Sequence, residues 1–319
     1  LITVGAMENK EVLKIDNITT LIKEKFLVKN ISFSLHVGEV LGIIGEDKSG
    51  KSSLLKVITS ALPVTEGDIY LDGISIIRNQ KLQREIDICL DPPMFFKFQT
   101  VVDNMKYISS LNDEFKMNDI NEILEKFDLL DKKNVAVRKL NFFEKKRMAL
   151  ALAFLRPAKV VILDEPFKNL DDSFKSKLKA YIKKLSNAGT SFILTGRTTD
   201  DLEDLCHTFM FLENKQIKNI MTNKDVKNFS NDTVYTFIKT KTPNYAGKLI
   251  IKNYGIDVKI LNNRVLLSNV DEEKTAEIIK FLSSNKIEIL SAGIISNKAE
   301  QIFASLTPYF KEEDAEWKH

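Results

Sequence analysis

The chain has little cysteine: two in 319 residues, Cys89 and Cys206, with no paired-ligand spacing at either. A disulfide scaffold and a thiolate zinc site are excluded as organising features, and a reducing compartment is the expectation. It has no excess of one charge. Lys and Arg number 47 against 44 Asp and Glu, a net +3 with the signs interspersed, so no nucleic acid partner is implied. It has no long apolar run either: nothing reaches the roughly 18–20 residues needed to span a bilayer, and no secretory leader is evident. The expectation is a soluble chain whose membrane role comes through a partner. Residues 1–6 precede the first methionine, Met7, and are set aside. What remains is long enough for one large domain or two smaller ones.

Two stretches stand out. Gly45-Glu46-Asp47-Lys48-Ser49-Gly50-Lys51-Ser52 has the G-x-x-x-x-G-K-[ST] spacing of a phosphate-binding loop. It follows the apolar run Val40–Ile44, which reads as a buried strand, and precedes Ser53–Ile58, which reads as a helix start. Gly45 and Gly50 let the backbone turn so that successive N–H groups face one concavity, with Ser53 in the first helical turn. The helix N-terminus adds partial positive charge. In such a loop Lys51 reaches the β- and γ-phosphates of ATP and the Ser52 hydroxyl ligates Mg²⁺. A glycine-containing strand-to-helix turn can also bind nothing; here every fixed position is filled in the right setting.

The second stretch is Val160-Val161-Ile162-Leu163-Asp164-Glu165-Pro166. A buried parallel strand ending in a carboxylate puts that carboxylate at the carboxyl edge of a sheet, beside a phosphate loop. Asp164 would hold Mg²⁺, directly or through water, and Glu165 would polarise an attacking water. An Asp-Glu pair after an apolar strand says little alone, and gains force from the upstream loop.

Elsewhere Val12–Ile15 and Ile31–Leu35 alternate with period two, as does Gly67–Gly73, and these predict strands of a small sheet. Residues near 101–129 take helical spacing.

With these residues the chain resembles the nucleotide-binding subunit of an ABC transporter over roughly residues 11–220. Asn169-Leu170-Asp171 resembles the family's D-loop, Leu205-Cys206 precedes the strand Phe209–Leu212, and Phe26–Phe33 matches the strand ahead of the loop. The resemblance implies a RecA-like α/β core with an antiparallel β subdomain and a helical subdomain. It also implies head-to-tail dimers with ATP between the subunits, and a peripheral place on the cytoplasmic face of the membrane beside a permease.

The chain departs from the family pattern in four places. Where the family signature precedes a helix expected to begin at Lys145, this chain reads Leu140-Asn141-Phe142-Phe143-Glu144. Two phenylalanines there block close backbone approach to a γ-phosphate, and Glu144 brings a like charge near it. Asp91 stands where glutamine is usual and can still reach Mg²⁺ or a water. Arg197 stands at the switch histidine; guanidinium contacts a phosphate but carries no proton at neutral pH. The adenine-stacking position falls near Ile22, with Phe26 the nearest ring. His36 and His207 lie away from the switch. A homodimer would then have two poor sites, so the expectation favours a heterodimer with a second ATPase whose signature is intact.

Beyond residue 231 the pattern changes. Strands are expected at 234–238, 256–261, 264–268 and 287–290, with helices at 244–253 and 272–283, then a helix at 298–306. The order βαββαβ predicts a small α+β, ferredoxin-like domain. By architecture it resembles the C-terminal piece of bacitracin-type and lantibiotic-immunity exporter subunits, with a stability or contact module as the alternative. The expected domains are 7–225, with a helical subdomain at about 95–155, then 232–308 and a polar tail at 309–319.

The sequence thus predicts an α/β P-loop ATPase subunit of an exporter for peptide or antibiotic-like cargo. Met94-Phe95-Phe96, near a groove over Asp91–Gln99, is a candidate permease contact or ordinary packing. The alternative is an ATP-binding regulator that hydrolyses little. One phosphate loop and no heptad insertion set the chain apart from soluble ABC proteins of DNA repair or translation.

Overall fold

The computed structural model describes residues 10–91, 93, 95–109, 117–229 and 233–310. The expectations for residues 1–6, Met94 and the end of the tail from Lys311 lie outside the described residues. The chain divides into two compact units, Leu1–Asn223 and Lys224–His319.

In the first unit, β1 (Glu11–Ile22) and β2 (Lys25–His36) form a hairpin. Its turn residues, Lys23 and Glu24, both have positive φ (48° and 60°), as a tight turn matched to strand twist demands. The loop after β3 (Val40–Ile44) leads into α1 (Lys51–Ile58). β4 (Glu66–Leu71) then pairs with β1 and with β5 (Ile74–Ser75), giving an antiparallel sheet ordered β2-β1-β4-β5. Leu13, Ile15, Ile31, Leu35, Ile69 and Leu71 share one core with Leu54, Leu55 and Ile58 of α1. The small sheet is thereby bound to the back of the loop helix.

β3 lies inside a six-stranded sheet ordered β10-β9-β3-β8-β7-β6. Its members are β6 (Ile86–Cys89), β7 (Val160–Leu163), β8 (Ser191–Gly196), β9 (Thr208–Glu213) and β10 (Gln216–Thr222). All neighbours are parallel except β10 on β9. Strands buried on both faces need continuous apolar runs, and β3 and β7 are buried at every position.

Between β6 and β7 lie α2 (Val101–Ser109), α3 (Met117–Lys126) and α4 (Phe142–Ala153), packed on one another. Here the structure corrects the sequence: α4 begins at Phe142, not Lys145. Asn141 caps it, accepting from the Glu144 N–H at 2.9 Å, while a Glu144 carboxylate oxygen accepts from the Asn141 N–H at 2.8 Å. Such a capping box satisfies two otherwise unpaired donors and starts the helix three residues early. α5 (Asp172–Asn187) follows β7 and packs against β8.

The short α6 (Asn223–Lys227) spans the change of unit. The second unit contains β11 (Tyr235–Thr240), α7 (Pro243–Tyr254), β12 (Val258–Leu261), β13 (Arg264–Ser268), α8 (Glu272–Ser284), β14 (Ile289–Ile294) and α9 (Lys298–Leu306). Its antiparallel sheet is ordered β12-β13-β11-β14, the split βαβ arrangement. Ile238, Ile250, Val265, Leu267, Ile278 and Leu282 form its core.

Ile287, expected in the last strand, precedes it. Lys286 has φ 62°, and the Ile287 N–H donates to the Leu282 carbonyl at 3.0 Å. This is a left-handed helix stop, whose apolar residue closes α8 rather than opening a strand. Lys259 is buried as well. Its ammonium donates to the Ala304 carbonyl at 2.9 Å, at the end of α9, and lies over the rings of Tyr235 and Tyr309.

Candidate functional site

The N-terminus of α1 is left uncapped. α1 starts from Gly50 at φ 114°, with no side-chain cap and no acidic residue in its first turn. Lys48 is also left-handed, at φ 64°, so two reversals curl the loop over the helix end. Gly45 has no room for more: a Cβ there would sit 2.4 Å from the Leu212 carbonyl oxygen and 2.5 Å from Ser49 Oγ.

The Lys51 ammonium is buried. It donates to the carbonyls of Gly45 at 2.5 Å and Glu46 at 2.9 Å, bridging the loop it comes from. Burial lowers its pKa, against the opposing pull of Glu165, Asp164 and Asp47. Ser49 Oγ is buried without a hydrogen-bond partner. A buried hydroxyl left unpaired costs about 1–3 kcal/mol, and such a group at a helix end suits an anionic oxygen. An uncapped helix end, a buried ammonium and an unpaired hydroxyl together fit a phosphate chain.

The strand register then brings in the carboxylates. β3 is flanked by β8, and β8 by β7, with Leu163 opposite Leu194. Residues 164 and 195 therefore leave the same sheet edge together. Asp164 is 2 % exposed; its Oδ2 accepts from the Ser52 hydroxyl at 2.9 Å and its Oδ1 from Thr195 Oγ1 at 2.6 Å. Thr195 Oγ1 also accepts from the Glu165 N–H at 2.9 Å, and Lys146 Nζ donates to the Asp164 carbonyl at 3.3 Å. Thr195 and Lys146 were missed in the sequence. Neither belongs to a spacing pattern, and only the register and the packing of α4 bring them here. The Ser52 and Asp164 oxygens are hard donors, suited to a Mg²⁺ shared with phosphate.

Glu165 sits at φ 44°, in the left-handed region that non-glycine residues seldom occupy. Its carboxylate contacts Lys168 Nζ at 2.6 Å and Arg197 Nε at 3.8 Å. Burial opposes its charge, but the bond to Lys168, the Lys168 charge, Arg197 and Lys51 together hold its carboxyl below the usual range. Arg197 also pairs with Asp47 at 2.9 Å, and Lys168 with Asp91 at 3.5 Å. A cavity of about 300 Å³ lies beside Glu165, Lys168, Thr195 and Arg197.

The remaining candidates are placed differently. Glu144, expected near a phosphate, has its carboxylate in the capping box and 3.6 Å from Lys132, so its charge serves its own helix. Phe142 and Phe143 are exposed and stand edge to face, centroids 6.0 Å apart. Asp171 caps α5, accepting from the Phe174 N–H at 2.9 Å, and pairs with Arg147 at 2.9 Å. Asp91 contacts Lys168. His36 faces Glu39 and His207 accepts from the Val40 N–H, so neither enters the site. Phe26 is half-exposed on β2 with Lys29 over its ring, and Ile22 ends β1. Both cysteines are buried and unpaired. Among the described residues no helix is long and apolar enough to cross a membrane.

Residues 28–168 match the model of the ABC transporter family. Across 95 % of this chain and 98 % of the relative, the chain is 25 % identical to an uncharacterised ABC transporter ATP-binding protein, YhcH, of Bacillus subtilis strain 168. Among solved structures it is similar to an ATP-binding subunit of an ABC transporter, with 19 % identity and TM-score 0.63 over 68 % of this chain and 92 % of that one. It is also similar to the dimeric ATP-binding cassette MJ0796 bound to ADP and phosphate, at 20 % identity and TM-score 0.62 over 66 % of this chain and 98 % of that one. The first unit has the P-loop ABC ATPase fold.

Proposed function

We propose, for a chain whose first unit is an ABC-type ATP-binding cassette, that it powers a separate membrane permease as an exporter subunit on the cytoplasmic face. ATP and Mg²⁺ are its cofactors, and peptide or antibiotic-like cargo is the class it serves. The observation that carries this reading is the open N-terminus of α1, with Ser52 hydrogen-bonded to Asp164 across the sheet edge. Lys51, Ser49 and the amides of residues 46–53 hold the phosphates; Ser52 and Asp164 hold Mg²⁺. The metal, when bound, neutralises charge developing on the phosphates. Glu165 accepts a hydrogen bond from the attacking water, and Arg197, linked to the loop through Asp47, steadies negative charge at the mouth of the site.

The capped N-terminus of α4 supports asymmetry. With Asn141 and Glu144 bonded to each other, two donors of that helix end are already paired, a carboxylate sits in its first turn, and the bulky Phe142 and Phe143 stand exposed there. A heterodimer, in which a partner ATPase supplies the signature over this chain's loop, fits better than a homodimer. The groove beside Asp91, Phe95, Lys97 and Arg138, about 390 Å³, is the candidate seat for a permease segment. A second reading, an ATP-holding regulator with little hydrolysis, is favoured by the cations committed to Glu165.

The test is to purify the tagged chain from its native membranes in mild detergent, identify its companions and measure their ATP turnover with Glu165→Gln. A permease, a second ATPase and a loss of turnover of about 10²-fold or more support the exporter reading. A chain that brings no membrane protein contradicts it, and unaltered turnover removes Glu165 from the chemistry.

A further inference from the structure

Five charged side chains run in alternating sign across the mouth of the site: Asp47, Arg197, Glu165, Lys168 and Asp91. One oxygen of the central carboxylate is hydrogen-bonded and the other only faces a guanidinium. Oε2 lies 2.6 Å from Lys168 Nζ and Oε1 lies 3.8 Å from Arg197 Nε. The ammonium takes one lone pair of Oε2 and, by its charge, weakens the carboxylate's pull on a water proton.

The Lys168 contact is set locally rather than by a chance pose of a long side chain. Lys168 follows Glu165 by three residues in a turn closed by its own N–H on the Glu165 carbonyl, at 3.3 Å. Glu165 is left-handed at φ 44°, as is Asn169 at φ 59°, so the turn is closed at both ends by left-handed residues, and its i, i+3 side chains meet at 2.6 Å. Glu165's side chain is 14 % exposed, whereas that of Lys168 is 41 % exposed and free to swing outward. Asp91, two residues beyond β6, lies 3.5 Å from the same ammonium and offers it a second seat.

We propose that Lys168 is a brake on Glu165: a positioning residue that occupies the carboxylate and moves to Asp91 when the carboxylate takes up its water. Turnover by this chain is then limited by release of the Glu165–Lys168 pair, and the segment after β6 controls that release by how closely it presents Asp91. This inference rests on the reading of Glu165 as the group that polarises water.

The test measures steady-state ATP hydrolysis by the chain with its native companions, for wild type, Lys168→Met, Lys168→Arg, Glu165→Gln and the Lys168→Met/Glu165→Gln double variant. Equilibrium affinity for a non-hydrolysable ATP analogue is measured for each. A half-exposed ion pair gates only modestly, so Lys168→Met is expected to raise kcat about threefold to tenfold, with KM and analogue affinity unchanged. Lys168→Arg keeps the low kcat, and the double variant falls to the level of Glu165→Gln. A kcat that stays level or falls in Lys168→Met overturns the brake. So does a loss of analogue affinity, which makes Lys168 a phosphate contact instead. If Glu165→Gln turns over like wild type, the underlying assignment of Glu165 fails, whatever Lys168→Met does.

Discussion

Two helix N-termini in the first unit have been finished in opposite ways. α1 begins at Gly50 with no capping side chain and no acidic residue in its first turn, and a buried hydroxyl beside it lacks a partner. α4 begins at Asn141 with a capping box, and its first turn carries Glu144. Every helix N-terminus exposes unpaired N–H groups and partial positive charge. In α4 the chain answers that charge itself; in α1 it leaves the charge for an external anion. Under the proposed function this difference supports α1 as the phosphate-binding end independently of the motif match, since it identifies the group left unsatisfied by folding.

The comparison can be broken from either side. The largest expected effect is at Lys51. Lys51→Met keeps the stem but removes the ammonium, and affinity for an ATP analogue should fall roughly 10- to 100-fold by titration calorimetry, the worth of one charged hydrogen-bonding group. Gly45→Ala comes next. Its Cβ meets a backbone oxygen at 2.4 Å, so denaturant unfolding should show a loss of about 1–3 kcal/mol, with weaker nucleotide binding. Ser49→Ala separates folding from binding. Removing an unpaired buried hydroxyl should leave the chain as stable or slightly more so, while analogue affinity drops about threefold to tenfold. Asn141→Ala is the mildest. It should cost about 1 kcal/mol of stability through lost capping and leave analogue affinity at the α1 site unaltered.

Much of this was readable in the residues, for reasons that differ by element. The phosphate loop was plain because its glycines and lysine are fixed by backbone geometry, and β3 and β7 because strands buried on both faces must be apolar throughout. Asp164 was readable as a carboxylate at a strand end. Thr195 was not, since a threonine inside β8 gains meaning only from the register that sets Leu194 opposite Leu163. The start of α4 had a signal, Asn141 followed three residues later by Glu144, that the two phenylalanines between them obscured. Ile287 misled in the same way: an apolar residue after a helix can close that helix as readily as open a strand. Lys168 carried no pattern, and its pairing with Glu165 follows from a turn whose left-handed residues are not glycine.

The most direct measurement is hydrogen exchange on the full chain, with and without Mg²⁺ and a non-hydrolysable ATP analogue, read at both helix ends. Strong protection of the amides at 46–53 with no change at 141–147 is the predicted result. Equal protection at both segments, or none at 46–53, would contradict the division of labour between the open and the capped helix.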